Sequence, residues 1–469
     1  MYLTSFTARG IKCFENTTLN FPSSSNENYA GWNVILGANA TGKTTLLQAM
    51  AATLVGTSSA MRLMSPAKWV RRGEKHGSFE VKFIQGERDI AEGAPRAKPY
   101  SASFAVTGTE PVVVDNEEYT APQIVLLGKG QKEYRGLVKG PYAANKPGWL
   151  VCGYGAHRRL TGGAEDALTY EAGRVGRVAS LFRESVALKR DLDWLPQLYA
   201  KSLDTHAPGA EEASKQYETV RKLLDQLLPA QVQIADVDTE RVYFSAPGTS
   251  RVDLLELSDG YRSFLALVLD LLRQVADVFG SLPPLIKDEG ASGLSVLADG
   301  VVLIDEVDLH LHPTWQRQLG PRLMQVFPRF QFIVTSHSPF IAQAATRDGL
   351  FVFWARSANA PVQMIQPAPQ VSGWTAEQIL LSPLFGLSDT RNPETERLLA
   401  EHALLRGKAK FDGLSPEDKR RLAIIERELA ERLTAPGELQ KEEVDDAVRL
   451  AAEKVRRLRS AETDTTPNG

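Results

Sequence analysis

Gly37-Ala38-Asn39-Ala40-Thr41-Gly42-Lys43-Thr44 fills every position of the phosphate-binding pattern GxxxxGK[ST]. Before it, Trp32 to Leu36 (W-N-V-I-L) is a short apolar run of strand character; after it, Thr45 to Thr53 (T-L-L-Q-A-M-A-A-T) has helical composition. Strand, glycine loop and helix together form an anion cradle: loop N–H groups converge on the phosphates and the helix N-terminus adds partial positive charge. Residues 37 to 45, ending in Thr45, are expected to line that cradle, with Lys43 reaching the outer phosphates and Thr44 holding Mg²⁺. The stretch predicts a nucleoside triphosphate as ligand.

A second centre lies between Ala298 and Ala345. Val301 to Ile304 (V-V-L-I) is a buried-strand run ending in Asp305-Glu306, and Gln331 to Val334 (Q-F-I-V) is another ending in Thr335-Ser336-His337-Ser338. Pro313 sits where a first helical residue tolerates it and Pro328 marks a stop, so one helix is expected to join two parallel strands. Phosphoanhydride hydrolysis needs electrostatic placement more than covalent help. Asp305 is placed to share the metal with Thr44, Glu306 to orient or deprotonate the attacking water, and His337 to hydrogen-bond the γ-phosphate.

Just before the acidic strand, Leu257-Ser258-Asp259-Gly260-Tyr261 opens an apolar helix running to about Val278. Ser258 and the Gly260 N–H at that helix start form a further anion site. Asp305 follows Lys43 by roughly 260 residues, far more than in compact nucleotide-loop ATPases, so a large insertion separates the two halves. Residues 2 to 21 alternate as a hairpin. From Ser78 to about Tyr154 the runs F-E-V-K-F, A-S-F-A-V, P-V-V-V, Q-I-V-L-L and W-L-V-C-G-Y read as an antiparallel accessory sheet. Gly162-Gly163 mark a loop. Leu181 to Leu228 carry two helical patterns of about 20 residues each, about 30 Å long, broken at Thr205 to Gly209. That predicts a short arm. Beyond Gln370 the chain turns helical and charged; Ser415-Pro416-Glu417-Asp418 caps a helix to about Leu433 whose charges read as a solvated face. Thr463 to Gly469 is expected to be disordered.

Composition bounds the rest. With 469 residues, 43% of them hydrophobic, the chain has the make-up of a globular protein of two to four domains. Fifty-four basic against fifty-seven acidic residues give a net charge of −3, so any DNA contact must come from a local patch. The local clusters Arg71-Arg72, Arg158-Arg159, Lys189-Arg190 and Lys454-Val455-Arg456-Arg457 read as solvated surface. Cys13 and Cys152 are the two cysteines, read as reduced thiols packed in strands. No secretory signal or apolar run of membrane length is present, which predicts a cytoplasmic protein with no membrane partner.

Taken in order, the glycine loop, L-S-D-G-Y, D-E and the histidine resemble the RecF and SMC branch of ABC-type ATPases over about residues 1 to 360. The Ile11-Lys12-Cys13-Phe14 turn is similar to that branch's first hairpin, which implies that Lys12 lies near the nucleotide. D-E-V-D-L-H-L-H-P-T-W-Q resembles its acidic strand and D-loop, which implies a nucleotide-side role for Asp308; His310 and His312 fit that turn better than a metal site. L-S-D-G-Y is like the LSGGQ signature, which implies that Ser258 and Gly260 complete the pocket of a second copy in an ATP-sandwiched homodimer or higher oligomer. The branch's Q-loop glutamine has no clear counterpart: Gln85 is a poor candidate, and Gly153-Tyr154-Gly155-Ala156-His157-Arg158-Arg159 stands in that region instead.

Within the branch, D-E-V-D-L-H-L-H-P, L-S-D-G-Y-R-S and a helical region from S-P-L-F-G-L resemble bacterial anti-phage defence ATPases: the Septu ATPase subunits, the OLD family and the Gabija ATPase. The last two fuse a Toprim nuclease, whereas the residues after Ala360 read as charged helices. The Septu-like reading implies a nuclease in trans, of the HNH type, that the ATPase controls. The rivals are a RecF-like ATPase that binds DNA in repair and an ATP-loaded scaffold with incidental turnover. The expected fold is α/β, an ABC-type head with a split mixed sheet. Its expected parts are an N-terminal lobe with accessory sheet (1–164), a helical arm (165–232), a C-terminal lobe with signature, acidic strand and histidine (233–368), and a helical C-terminal region with a disordered tail (369–469).

Overall fold

The computed structural model describes residues 1–23, 28–86, 100–143, 148–158, 173–186, 188, 193–204, 206, 208–229, 231–357, 360–366, 370–411 and 413–433. It falls into two units, Met1–Ile379 and Leu380–Gly469.

In the first unit, β1 (Tyr2–Ile11) and β2 (Phe14–Asn20) form the expected hairpin, with Phe6 opposite Leu19. β3 (Gly31–Gly37) carries the glycine loop into α1 (Lys43–Val55). β4 (His76–Ile84), β5 (Tyr100–Thr107) and β6 (Ile124–Leu126) join the hairpin in an antiparallel sheet ordered β2-β1-β4-β5-β6. β4 alternates buried and open positions. Its Phe79, Val81 and Phe83 face the core while Glu80 and Lys82 face out, the period-2 pattern that pins strand register.

The second sheet has six strands. β7 (Val151–Tyr154), β11 (Gly300–Ile304), β12 (Phe330–Ser336) and β13 (Leu350–Trp354) lie parallel with β3, and β14 (Gln363–Ile365) closes one edge antiparallel. The order is β14-β13-β3-β12-β11-β7. Helix α1 buries Leu46, Leu47, Met50, Ala51, Leu54 and Val55, apolar around most of its circumference because it touches strands of both sheets. Fully buried Phe6, Phe79, Phe83 and Phe104 belong to the same core, each worth roughly 2–3 kcal/mol relative to exposure. The molecule is thus α/β, with the mixed sheet and glycine loop of a P-loop ATPase head.

Three expectations need correction. W-L-V-C-G-Y does not extend the accessory sheet: Val151–Tyr154 pairs parallel with β11, Cys152 opposite Val302, because a strand without polar alternation is buried on both faces. Val112–Val114 likewise leaves that sheet and pairs only with Glu117–Tyr119. Cys13 is not in a strand but at the hairpin turn, half-buried, its Sγ 3.8 Å from the Thr41 carbonyl.

The helices of the insertion pack back on the unit they interrupt. They include α2 (Gly176–Phe182), α3 (Trp194–Leu203) and α4 (Ala210–Leu227), the last 18 residues long and α3 only 10. α4 buries Ala213, Tyr217, Val220, Leu223, Leu224 and Leu227 against α3 and against α5 (Asp259–Phe279) and α6 (Pro313–Val326). A stripe that wide needs a partner face, and the ATPase unit provides it. Between α4 and α5, β8 (Gln233–Val237), β9 (Val242–Ala246) and β10 (Thr249–Asp253) make a separate antiparallel sheet. The Gly162-Gly163 loop and the start of the expected arm lie outside the described residues.

In the second unit, α7 (Pro393–Phe411) and α8 (Pro416–Leu433) pack through Leu398, Leu405, Leu422, Ile425 and Leu429. Ser415 Oγ caps α8 by accepting from Asp418 N at 3.0 Å. The charges on α8 face water but also pair across the hairpin, Arg421 with Glu401 and Arg432 with Glu394. Thr463 to Gly469 lies outside the described residues. Among the described residues, no helix is long and apolar enough to cross a membrane.

Candidate active site

The glycine loop leaves β3 at Gly37 and enters α1 through Gly42, whose φ of 85° is left-handed. A side chain at Gly42 would also collide with Cys13 Sγ at 2.4 Å and the Phe14 ring at 2.8 Å, so the β1–β2 turn packs under the loop and only glycine fits. Ala38, Asn39 and Ala40 are exposed; Ala40 carries φ 65°, and Thr41 is buried with its hydroxyl donating to the Ala38 carbonyl at 2.8 Å. Thr45 follows Thr44 in the first turn of α1.

Lys43 Nζ donates to the Gly37 carbonyl at 2.7 Å and the Ala38 carbonyl at 3.1 Å, and lies 3.0 Å from His337 Nε2. An ammonium only donates, so Nε2 accepts and the neutral ring carries its proton on Nδ1. Partial desolvation, and then the Lys43 charge, hold the His337 pKa below its ordinary value. Burial lowers that of Lys43 too, opposed by Asp305, Glu306 and Asp308.

Parallel pairing of β11 and β12 brings the acids and the histidine to one sheet edge. Asp305 is 4% exposed; Thr44 Oγ1 donates to its Oδ2 and Thr335 Oγ1 to its Oδ1, each at 2.6 Å. Thr335 Oγ1 in turn accepts from Glu306 N at 2.7 Å. This buried threonine, whose role composition and motif do not announce, ties the two acids together. Glu306 has φ 45°, rare for a residue with a Cβ, and its carboxylate acts on the charges of Lys43 and His337.

A hydroxyl and a carboxylate facing each other are hard oxygen donors, the set Mg²⁺ selects. Thr44 and Asp305 therefore fit the metal expected of a phosphate site and would hold it. Bound there, it would neutralise charge on the outer phosphates.

The remaining predicted residues divide. Asp308 follows in the same turn: its Oδ1 is buried without a hydrogen bond, and its carbonyl accepts from Leu311 N and Gln316 Nε2. Gln316 also accepts from Ser338 Oγ at 2.6 Å, joining this turn to the segment after His337. Ser258 is the exposed residue before α5, and Gly260 packs on the His310 carbonyl, which a Cβ would meet at 2.4 Å. Neither makes a hydrogen bond to the glycine loop. Lys12 Nζ lies 4.3 Å from the Trp69 ring centre and its carbonyl accepts from Arg71, while its neighbour Cys13 packs against the glycine loop at Thr41.

Arg158 overturns the surface reading of Arg158-Arg159. It is 6% exposed and donates to the carbonyls of Asp305 at 3.1 Å and Glu306 at 3.2 Å. A single Arg-Arg pair in a sequence carries no sign of burial; its position next to the strand that pairs with β11 was the available signal. Arg159, Lys189-Arg190 and Lys454 to Arg457 lie outside the described residues.

Two family descriptions match the chain: "AAA domain" over residues 5–120 and "AAA domain, putative AbiEii toxin, Type IV TA system" over residues 176–342. The chain is similar to the Septu protein PtuA of Bacillus mycoides (strain KBAB4), 27% identical over 398 residues, covering 84% of this chain and 46% of that protein. It is also similar to the Retron Ec83 probable ATPase of Escherichia coli, 32% identical over 173 residues, covering 36% of this chain and 28% of that protein. The chain spans less than half the length of these curated relatives. Among solved structures, an SMC head bound to the C-winged helix domain of ScpA aligns with a TM-score of 0.45 and 12% identity, over 79% of this chain and all of that one. The chain is thus similar to Septu PtuA over most of its own length, and AAA-domain descriptions match on both sides of residues 121–175.

Proposed function

We propose that this protein binds and hydrolyses ATP, dimerises around it, and in that state assembles with and regulates a partner nuclease in anti-phage defence. The observation that carries the ATPase reading is the meeting of Lys43 with His337 and of Thr44 with Asp305, side chains from opposite halves of the sequence. Loop N–H groups and Lys43 hold the phosphates. Thr44 and Asp305 hold Mg²⁺. Glu306 orients the attacking water and takes its proton, and His337 hydrogen-bonds the γ-phosphate. Ser258, the Gly260 N–H and Asp308 of a second copy close over the nucleotide, giving two equal pockets in a two-fold dimer.

The signature turn's lack of hydrogen bonds to its own loop supports action in trans. Similarity to Septu PtuA supports the defence role and a nuclease, of HNH type, as partner. ATP turnover measured with Glu306→Gln beside the parent tests the enzymatic core: the variant should keep ATP and lose turnover. Co-purification with the product of the neighbouring gene, with and without ATP, tests the partner; a partner lacking nuclease activity would end that part of the reading.

A further inference from the structure

The acidic turn after β11 places three carboxylates, Asp305, Glu306 and Asp308, within four residues, with Glu306 in a left-handed conformation. Non-glycine residues stay in that region only where the surroundings over-determine them. Glu306 N is held by Thr335 Oγ1, but the carbonyl side is fixed from another element. One guanidinium nitrogen of Arg158 binds the Asp305 carbonyl and the other binds the Glu306 carbonyl. These two peptide groups flank the Glu306 Cα; Thr335 holds their N–H sides, through Oγ1 to Glu306 N and its carbonyl to Val307 N, and the fork holds both carbonyl sides, the Glu306 carbonyl also accepting from Leu309 N, so Arg158 and Thr335 together fix the peptide planes that aim the Glu306 side chain.

A buried cation is costly unless charges and acceptors meet it. Burial pushes the Arg158 pKa down to about 10, while Asp305, Asp308 and Glu306 pull it up. It lines a mainly apolar cavity with Phe264 and Leu267 of α5, Val307 and Leu311, Ser263 being the polar neighbour there. A lysine would keep the charge but, as a point donor, could not span two carbonyls in fixed geometry.

We propose that Arg158 is a positioning residue for hydrolysis, which orients Glu306 by clamping the two peptide groups on either side of it. The inference rests on Glu306 being the water-orienting group. It assigns a distinct task to the stretch that stands where the branch's glutamine is missing, and needs no contact between Arg158 and nucleotide.

The test uses the full chain with Arg158→Lys, Arg158→Gln and Glu306→Gln, alone and combined. Both Arg158 variants should bind a fluorescent ATP analogue within about twofold of the parent while kcat falls by about 10²-fold, the scale of a small misplacement of a reacting group. In the Glu306→Gln background, adding Arg158→Lys should cost less than about twofold more, because the two residues act as one unit. A parental kcat in Arg158→Lys and Arg158→Gln, an additive loss in the double variant, or a parallel loss of ATP affinity and turnover overturns the proposal. Failure of both variants to fold assigns Arg158 to structure alone and overturns it equally. If Glu306→Gln itself turns over normally, the underlying reading of Glu306 has failed instead.

Discussion

Lys43 Nζ and His337 Nε2 lie 3.0 Å apart although 294 positions separate them in the chain. The fold therefore brings the loop's cation and the histidine at the next strand's end into direct contact. Lys43→Ala should abolish the ATP-induced rise in melting temperature, which at about a hundredfold excess over Kd corresponds to about 2.7 kcal/mol in the parent. A shift of parental size in the variant would contradict the site.

The same contact gives a pH signature. A His whose folded pKa lies below its ordinary value leaves the unfolded chain holding more protons as pH falls through about 6.5. The stability contributed by neutral His337 is complete above that pH and declines below it, towards the lowered folded pKa. His337→Gln should flatten this part of the melting temperature's pH dependence, measured from pH 7.5 to 5. An unaltered slope would mean that His337 is not the group responsible.

Glu306→Gln should retain ATP while turnover drops about 10²- to 10⁴-fold, the range for removal of a positioned base. Single-turnover phosphate release checks this directly, and hydrolysis at the parental rate would remove Glu306 from its role.

Thr335→Val keeps the shape of a fully buried side chain and deletes the hydroxyl shared by Asp305 Oδ1 and Glu306 N. Leaving those groups unpaired should cost about 1–3 kcal/mol in denaturant unfolding and lower turnover as well. Unchanged stability would show that water replaces the hydroxyl without loss.

Mixing Lys43→Ala with Ser258→Arg tests closure in trans. A heterodimer of these inactive variants has one pocket with both lesions and one with none, so activity should partly return. If exchanged heterodimers stay inactive, a linked dimer with both lesions in one half separates a failed signature from pockets that must fire together.

The glycine loop, D-E and the histidine could be read from sequence because phosphate chemistry demands particular residues at fixed spacing beside strands. Their mutual contacts were legible only as the order of parallel strands. What was missed lies where burial and pairing depend on distant chain. Val151–Tyr154 resembles any apolar strand until β11 lies beside it, and Arg158 looks like surface until the Asp305 and Glu306 carbonyls meet it. Thr335 belongs to no motif, since a hydroxyl within a buried strand is recognised only by what it bonds. The apolar stripe of Ala210–Leu227 is visible in the sequence, whereas the face it packs on is not.

The position of β3 bears on how the protein is made. Its neighbours are β12 and β13, strands that begin at Phe330 and Leu350, so both edges of the loop strand stay unpaired while the intervening chain is synthesised. Pairing over such separations is entropically delayed, and an open apolar strand is an aggregation hazard in a nascent chain. The ribosome-bound protein should therefore have no nucleotide affinity until residues past Trp354 have emerged, and the wait leaves β3 as a segment for chaperones to shield.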